Sequence, residues 1–260
     1  YQTEAHIYSQ YLLENHPRSK VAVLYQDDGF GKDYLKGVKD GLGGKIPIVA
    51  EAPYKVTDTS IDAQIAKLKA SGADVFMQFT TPKFATMAIK RNAELGWKPI
   101  HFLASVSESV SSVMVPAGVE NAEGIMSAMY RLEGEDAQGA GPAVFREWSS
   151  FMERYVPSVS KANGQAVYAY LNSRLVIEVL KNCGDDFSRE NIMKQARSIK
   201  GLQIPMMVPG ILINTSASDH ATIEQMRMMR FTGGHWQFFG PVRSGSDPGT
   251  VSESFKTLFK

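Results

Sequence analysis

Apolar positions in the first half of the chain fall into two alternating rhythms. Val21, Ala22, Val23 and Leu24 form an unbroken apolar run with β-branched members, the pattern of a strand buried on both faces of a parallel sheet. Gln26-Asp27-Asp28 follows, Gly29 and Gly31 bracket Phe30 on a turn, and a helical pattern runs over roughly 31–42 to a glycine stop at Gly43-Gly44. The unit then repeats. A second strand lies near Ile46 to Ala52. Thr59 or Ser60 caps a helix with Ile61, Ile65 and Leu68 on one face, closed by Ser71-Gly72. A strand from Asp74 to Phe79 leads to a helix that starts at Pro82, buries Phe84, Met87, Ala88 and Leu95, and stops at Gly96 before a strand from Ile100 to Ala104. Ahead of all this, residues 3–15 carry Ile7, Tyr8, Tyr11 and Leu12 at helical spacing, ended by His16-Pro17. Strands alternating with helices of this length imply right-handed crossovers and a parallel sheet with helices on both faces, an α/β doubly wound arrangement.

Beyond Ala104 the rhythm changes. A helical turn near Glu108 to Met114 and a strand-like run from Gly124 to Tyr130 lead into the polar stretch 133–139, the best internal boundary. Two long helices are expected from Pro142 to Tyr155 and from Asn163 to Lys181. The second is apolar almost all round through Val167, Tyr170, Leu171, Leu175 and Val179, which predicts burial. Ser188 caps a shorter helix ending near Ser198. Period-two patterns then return at Gly210 to Ile213 and from Gln225 to Phe231. With Gly233-Gly234 and the alternation from His235 to Phe239, the last pair reads as a hairpin. From Arg243 onward the chain reads as a loose tail.

Composition narrows the class of partner. Among 260 residues, 28 Lys and Arg stand against 27 Asp and Glu, a net charge of +1, so no electrostatic footprint for nucleic acid or an anionic membrane is visible. A small molecule fits that balance. No apolar run reaches the roughly 20 residues that span a bilayer, so direct membrane insertion is not expected. The single cysteine, Cys183, excludes an internal disulfide and a cysteine-rich zinc cluster, and reads as a small buried hydrophobe at a helix end. The five histidines are scattered without metal-ligand spacing. Neither a nucleophile elbow nor a phosphate loop occurs, and no cofactor is implied. Asp27-Asp28 and Asp185-Asp186 sit in turns, where capping or solvation accounts for them.

Polar uncharged residues accumulate instead at the ends of successive strands: Gln26, then Thr80 and Thr81, then Ser105 and Ser107. In open α/β sheets a ligand sits outside the carboxyl ends of the strands, where hydroxyls and amides orient it and an aromatic such as Phe30 supplies contact area. Four of these residues have a plain alternative. Phe30 can staple its own helix, Thr80 or Thr81 can cap the helix at Pro82, and Ser107 can cap the turn at Glu108.

On these residues the sequence resembles the periplasmic substrate-binding proteins of branched-chain-amino-acid-type ABC transporters, the leucine/isoleucine/valine-binding protein family with the type I periplasmic binding fold. The resemblance runs from Tyr1 to about Val242. It is carried by Val23 to Tyr34, Leu68 to Phe76, Ala93 to Pro99, Pro209 to Ser216 and Glu224 to Phe231, in that order. It implies two doubly wound lobes joined by a three-segment hinge and closing on a ligand in the cleft between them. Residues 1–128 with 224–243 then correspond to lobe 2, 129–223 to the later part of lobe 1, and 244–260 to a tail. The βα units that open lobe 1 in the family have no counterpart here, nor does a signal peptide.

The resemblance also assigns roles. Phe30 matches the aromatic that lies against the ligand, Thr80, Thr81, Ser105 and Ser107 match other lobe 2 contacts, and Tyr168 and Tyr170 head a lobe 1 helix, where core packing is the first role and a cleft contact, through Tyr168, the other. Amino-acid-binding members carry an acid where this chain has Val106; Glu108 is the nearby substitute. A cleft without that acid disfavours an ammonium group. The expectation is a periplasmic, non-enzymatic receptor that captures a small aromatic or branched carboxylate and presents it to a membrane permease. Amino-acid binding, a sensor domain and an enzyme on a doubly wound sheet are the alternatives.

Overall fold

The computed structural model describes residues 1–133 and 141–245. It divides into two compact units, residues 1–128 with 227–245, and residues 129–226. Unit 1 opens with α1 (Gln2–Asn15), followed by β1 (Val21–Gln26), α2 (Gly29–Leu42), β2 (Ile48–Tyr54), α3 (Asp62–Ala70), β3 (Val75–Phe79), α4 (Pro82–Glu94) and β4 (Ile100–Leu103). After a short α5 (Val115–Ala117) comes β5 (Met126–Met129), and β6 (Gln225–Thr232) and β7 (His235–Ser244) complete a sheet of order β2-β1-β3-β4-β5-β6-β7. The pairings from β2 through to β5 are parallel. Tyr25 lies opposite Phe79 and Gln78 opposite Leu103, so the carboxyl ends of β1, β3 and β4 finish side by side. Gly233 and Gly234 join β6 to β7 with φ of 61° and 86°, values that a tight hairpin turn requires and that glycine adopts without steric cost.

Side chains explain the layers. Leu24, Phe76 and Tyr54 on the strands meet Ile65, Leu68, Phe84 and Trp97 in one buried cluster, and the Trp97 indole donates to the Ala73 carbonyl at 3.2 Å. On α2, Gly37 and Gly41 let α1 come close. A Cβ at Gly37 would stand 2.8 Å from the Ala5 Cβ, and one at Gly41 2.8 Å from the Ser9 Cβ. The two helices therefore touch backbone to side chain over the stretch that carries Glu4 and Tyr8.

Several boundaries differ from expectation. The second strand begins and ends two residues later, and α2 begins at Gly29 because the Asp28 carboxylate accepts from the Gly31 amide at 3.2 Å; Phe30 thus stands in the first helical turn instead of on a loop. Neither Thr59 nor Ser60 is the capping residue of α3. That position is Ile61, and the Ser60 hydroxyl takes the Asp62 amide at 3.1 Å. The end of β7 is not loose: the His6 ring bonds the Gly245 carbonyl at 2.6 Å. The rest of the expected tail, and the boundary stretch from 134 to 139, lie outside the described residues.

Unit 2 contains α6 (Gly141–Tyr155), α7 (Gly164–Asn182) and α8 (Arg189–Ala196). Trp148 is fully buried and meets Tyr170 edge-on at 5.3 Å. The helix expected to be buried all round is not. Val176, Ile177 and Leu180 of α7 are 37–55% exposed, because the described residues of this unit cover only the face carrying Val167, Tyr170, Leu171 and Val179. The period-two run at 210–213 makes only an isolated bridge between Leu202 and Ile213. Pro205 and Pro209 remove ladder donors beside it, and Met206 takes a φ of 71°. At the start of α7 the Asn163 carboxamide oxygen accepts from the Gln165 and Ala166 amides at 2.9 and 3.1 Å. Asn163→Ala should cost about 1 kcal/mol in a denaturant titration; an unchanged midpoint would show that these two amides find water equally well.

Candidate functional site

Three neighbouring strand ends in unit 1 build one polar platform. At the end of β1, Gln26 is buried and its amide orientation is dictated by its partners. Its nitrogen donates to the Asp28 carboxylate at 2.5 Å, which leaves its oxygen to accept from Tyr54 Oη at 3.0 Å and Thr81 Oγ1 at 3.2 Å. Tyr54 in turn accepts the Thr81 amide at 3.1 Å, and burial raises its phenol pKa. Thr81 occupies the position preceding α4 but makes no side-chain cap, because its hydroxyl is committed to Gln26. Below it, buried Gln78 donates to Thr80 Oγ1 at 2.9 Å and the Ala85 carbonyl at 3.2 Å, and its oxygen faces His101 Nε2 at 2.7 Å. That acceptor fixes the proton of the neutral imidazole on Nε2.

After β4 the chain makes a tight turn over Ser105–Ser107. Ser107 is fully buried and donates to the Thr80 carbonyl at 2.6 Å, so it ties this turn to the neighbouring strand end and does not cap the following helical turn; Ser109 does, accepting from the Ser112 amide. Ser105 is half-buried and tied to Glu4. Its amide donates to Glu4 Oε1 at 2.8 Å and its hydroxyl to Glu4 Oε2 at 2.6 Å. Tyr8 Oη donates at 2.6 Å to Glu4 Oε1 or at 2.8 Å to the Leu103 carbonyl. Burial raises the Glu4 pKa, and the bonds from Ser105 and Tyr8 pull it back. Glu4 was not among the residues singled out from the sequence. The signal was there: it shares the helical face of Ala5, Tyr8 and Leu12, and an acid on an apolar face needs buried donors.

Of the expected site residues, Phe30, Thr81 and Ser105 reach the surface of unit 1, whereas Gln26, Thr80 and Ser107 are buried beneath them. Phe30 packs edge-on against Tyr1 at 4.8 Å and Tyr34 at 5.3 Å, and Tyr34 stacks on Phe79 at 4.3 Å. Val106 is 38% exposed, while Glu108 is buried and its carbonyl accepts from the Trp236 indole at 2.6 Å. Tyr168 belongs to unit 2, where it is exposed on α7. Among the described residues no cluster of His, Cys, Asp or Glu is placed to hold a metal ion, and no helix is long and apolar enough to cross a membrane.

Comparison with known proteins follows the same lines. A family model described as periplasmic binding protein matches residues 1–235. Leu/Ile/Val-binding protein homolog 8 of Brucella abortus is 20% identical over 190 residues, covering 72% of this chain and 45% of that protein. The chain thus spans less than half the length of the curated relatives it matches. Among solved structures, a branched chain amino acid ABC transporter protein from Thermus thermophilus with bound valine superposes with a TM-score of 0.78 at 15% identity, over 100% of this chain and 67% of that one. A fatty acid ABC transporter substrate-binding protein from Thermomonospora curvata gives 0.77 at 18% identity, over 94% and 62%. At such identities the likeness is one of fold, the type I periplasmic binding fold.

Proposed function

That the chain belongs to the periplasmic binding protein family is the premise on which we propose that it acts outside the cytoplasm as the ligand-capturing receptor of an ABC importer. The ligand in this reading is a small organic acid with an aromatic or branched body, and the partner that receives it is a membrane permease. Unit 1 takes the part of the second lobe, and Phe30, Thr81 and Ser105 meet the ligand at the strand ends. One observation carries the reading: a half-buried aromatic and two half-buried hydroxyls share the carboxyl edge of the parallel strands, the aromatic packed on Tyr1 and Tyr34 and the hydroxyls bonded to the Gln26 amide and the Glu4 carboxylate beneath them. Such a surface orients a ligand without attacking it. Tyr168 enters as a candidate contact from unit 2.

Val106, apolar and exposed, stands where amino-acid-binding relatives place an acid, and it favours an acid without an ammonium group. A branched-chain amino acid is the second reading, favoured by the valine bound to the Thermus relative. Thermal unfolding of the gene-encoded protein against benzoates, hydroxycinnamates, branched-chain keto acids and branched-chain amino acids separates the two. A ligand present at about 100 times its Kd adds roughly 2.7 kcal/mol, a shift of several degrees. A shift with no member of the panel overturns the receptor reading. Phe30→Ala should weaken the best ligand by about tenfold, the loss of roughly half a buried ring; unchanged affinity would move the aromatic contact elsewhere.

A further inference from the structure

The direction of the hydroxyl protons says which end of a ligand this platform can take. Each serine or threonine hydroxyl has one proton to donate and lone pairs to accept with. Both half-buried hydroxyls spend that proton inward. Thr81 gives it to Gln26 Oε1 at 3.2 Å, and that oxygen cannot be exchanged for the amide nitrogen because the nitrogen is held by the Asp28 carboxylate at 2.5 Å. Ser105 gives its proton to Glu4 Oε2 at 2.6 Å, and the other Glu4 oxygen is held by the Ser105 amide at 2.8 Å, a donor with no alternative role. Beneath them Ser107 also donates inward, to the Thr80 carbonyl. What Thr81 and Ser105 have left to offer outward is lone pairs.

We infer that the strand-end face of unit 1 is a hydrogen-bond-accepting surface that takes the donor-bearing end of the ligand, a hydroxyl, amide or ammonium group, with Glu4 as the positioning residue that sets the polarity of Ser105. The inference rests on the receptor reading above and narrows it, since an acid with a second, proton-donating substituent fits this face and a plain keto acid does not. The carboxylate of such a ligand is repelled by these lone pairs and faces away from Thr81 and Ser105.

Glu4→Gln is the informative variant. The Ser105 amide forces the new carboxamide oxygen to keep the Oε1 place, so the NH2 group falls opposite Ser105 Oγ and donates to it. The serine proton is then released outward, and the platform changes from accepting to donating at that point without a change in shape. Calorimetric titration would compare matched pairs: valine and 2-hydroxy-3-methylbutanoate against 2-oxo-3-methylbutanoate, and 4-hydroxybenzoate against 4-fluorobenzoate. The native protein should prefer the donor-bearing member of at least one pair by about tenfold, the discrimination one hydrogen bond carries, and Glu4→Gln should remove or reverse that preference. Ser105→Ala, which deletes the hydroxyl without touching α1, should also lose it. Binding in which the acceptor-bearing member equals or beats its partner, or a preference that survives both variants, overturns the inference and leaves the receptor standing. If no probe binds, the receptor reading falls, and the inference is decided on the free protein by proton NMR. A slowly exchanging Ser105 hydroxyl proton coupled to the Glu4 carboxylate carbon supports it, and one that exchanges freely with water overturns it.

Discussion

Replacing Gly31 with alanine is expected to lower the thermal midpoint by roughly 5–10 °C, the shift that about 2–3 kcal/mol of overpacking produces in a chain of this size. Gly31 is the third residue of α2, and its amide closes the cap on Asp28. A Cβ there would stand 2.1 Å from the Gln26 carbonyl oxygen and 2.6 Å from the Gln26 amide nitrogen. These are backbone atoms of a strand held by β2 on one side and β3 on the other, so no side chain can swing away to make room. Either the helix start lifts or the strand end moves, and both disturb the Gln26 amide that supports Tyr54 and Thr81. Ligand affinity should fall with stability for that reason. Gly29, two residues earlier, supplies the control: nothing lies within 4 Å of a Cβ at that position, so Gly29→Ala should change the midpoint by a degree or less, about the size of an ordinary surface substitution. Equal midpoints for the two variants would mean that α2 is not seated on the end of β1 as described.

The pair also marks how far the sequence can be read. Gly29 and Gly31 look alike on paper, and both were read as punctuation around a turn; their difference is that the Gln26 backbone at the end of β1 runs against Gly31 and nothing runs against Gly29. The βα rhythm itself was legible because each strand is an apolar run and each helix keeps one apolar face, and both follow from burial alone. So was the gathering of Gln26, Thr80, Thr81, Ser105 and Ser107 at one sheet edge, since parallel strands in register must end together. Hydrogen-bond direction was not legible. Thr81 and Ser107 stand where caps belong and instead serve a neighbouring strand, a choice made by partners 27 to 55 residues away. Glu4 escaped notice although it shares the buried face of Ala5, Tyr8 and Leu12. For α7 the error ran the other way: periodicity reports how much of a helix is apolar, and it cannot report what lies against Val176, Ile177 and Leu180.

His101 should make the protein lose stability on mild acidification, above the ordinary range in which exposed carboxylates titrate. The imidazole is buried between strands, its ring 4.6 Å from that of Phe76 and its Nε2 2.7 Å from the Gln78 oxygen. Burial lowers its pKa from 6.5 to about 3. Below pH 6.5 the unfolded chain takes up a proton that the folded chain refuses, so stability rises with pH between about 3 and 6.5 and falls on acidification through that window. At pH 5 the loss is about 2 kcal/mol, from 1.36 kcal/mol for each of roughly 1.5 pH units. Glu4 acts with the opposite sign. Burial raises its folded pKa above 4.5, so the folded chain binds that proton first and gains stability as pH falls from the raised value to 4.5. The carboxylates of Glu14 and Asp27, lowered by hydrogen bonds from Arg243 and Lys32, lose their contribution as pH falls from their ordinary values of 4.5 and 3.8 toward the lowered ones, below the range from pH 7 to pH 5. Midpoints at pH 7, 6 and 5 therefore separate the two buried groups. His101→Gln, which keeps a donor for the Gln78 oxygen, should flatten the profile, and Glu4→Gln should steepen it by removing the opposing term. A native profile that is flat between pH 6.5 and 5 and stays flat in Glu4→Gln would mean that His101 takes up its proton in the folded state, and the buried Gln78 to Thr80 chain beneath the platform would have to rearrange to accept it.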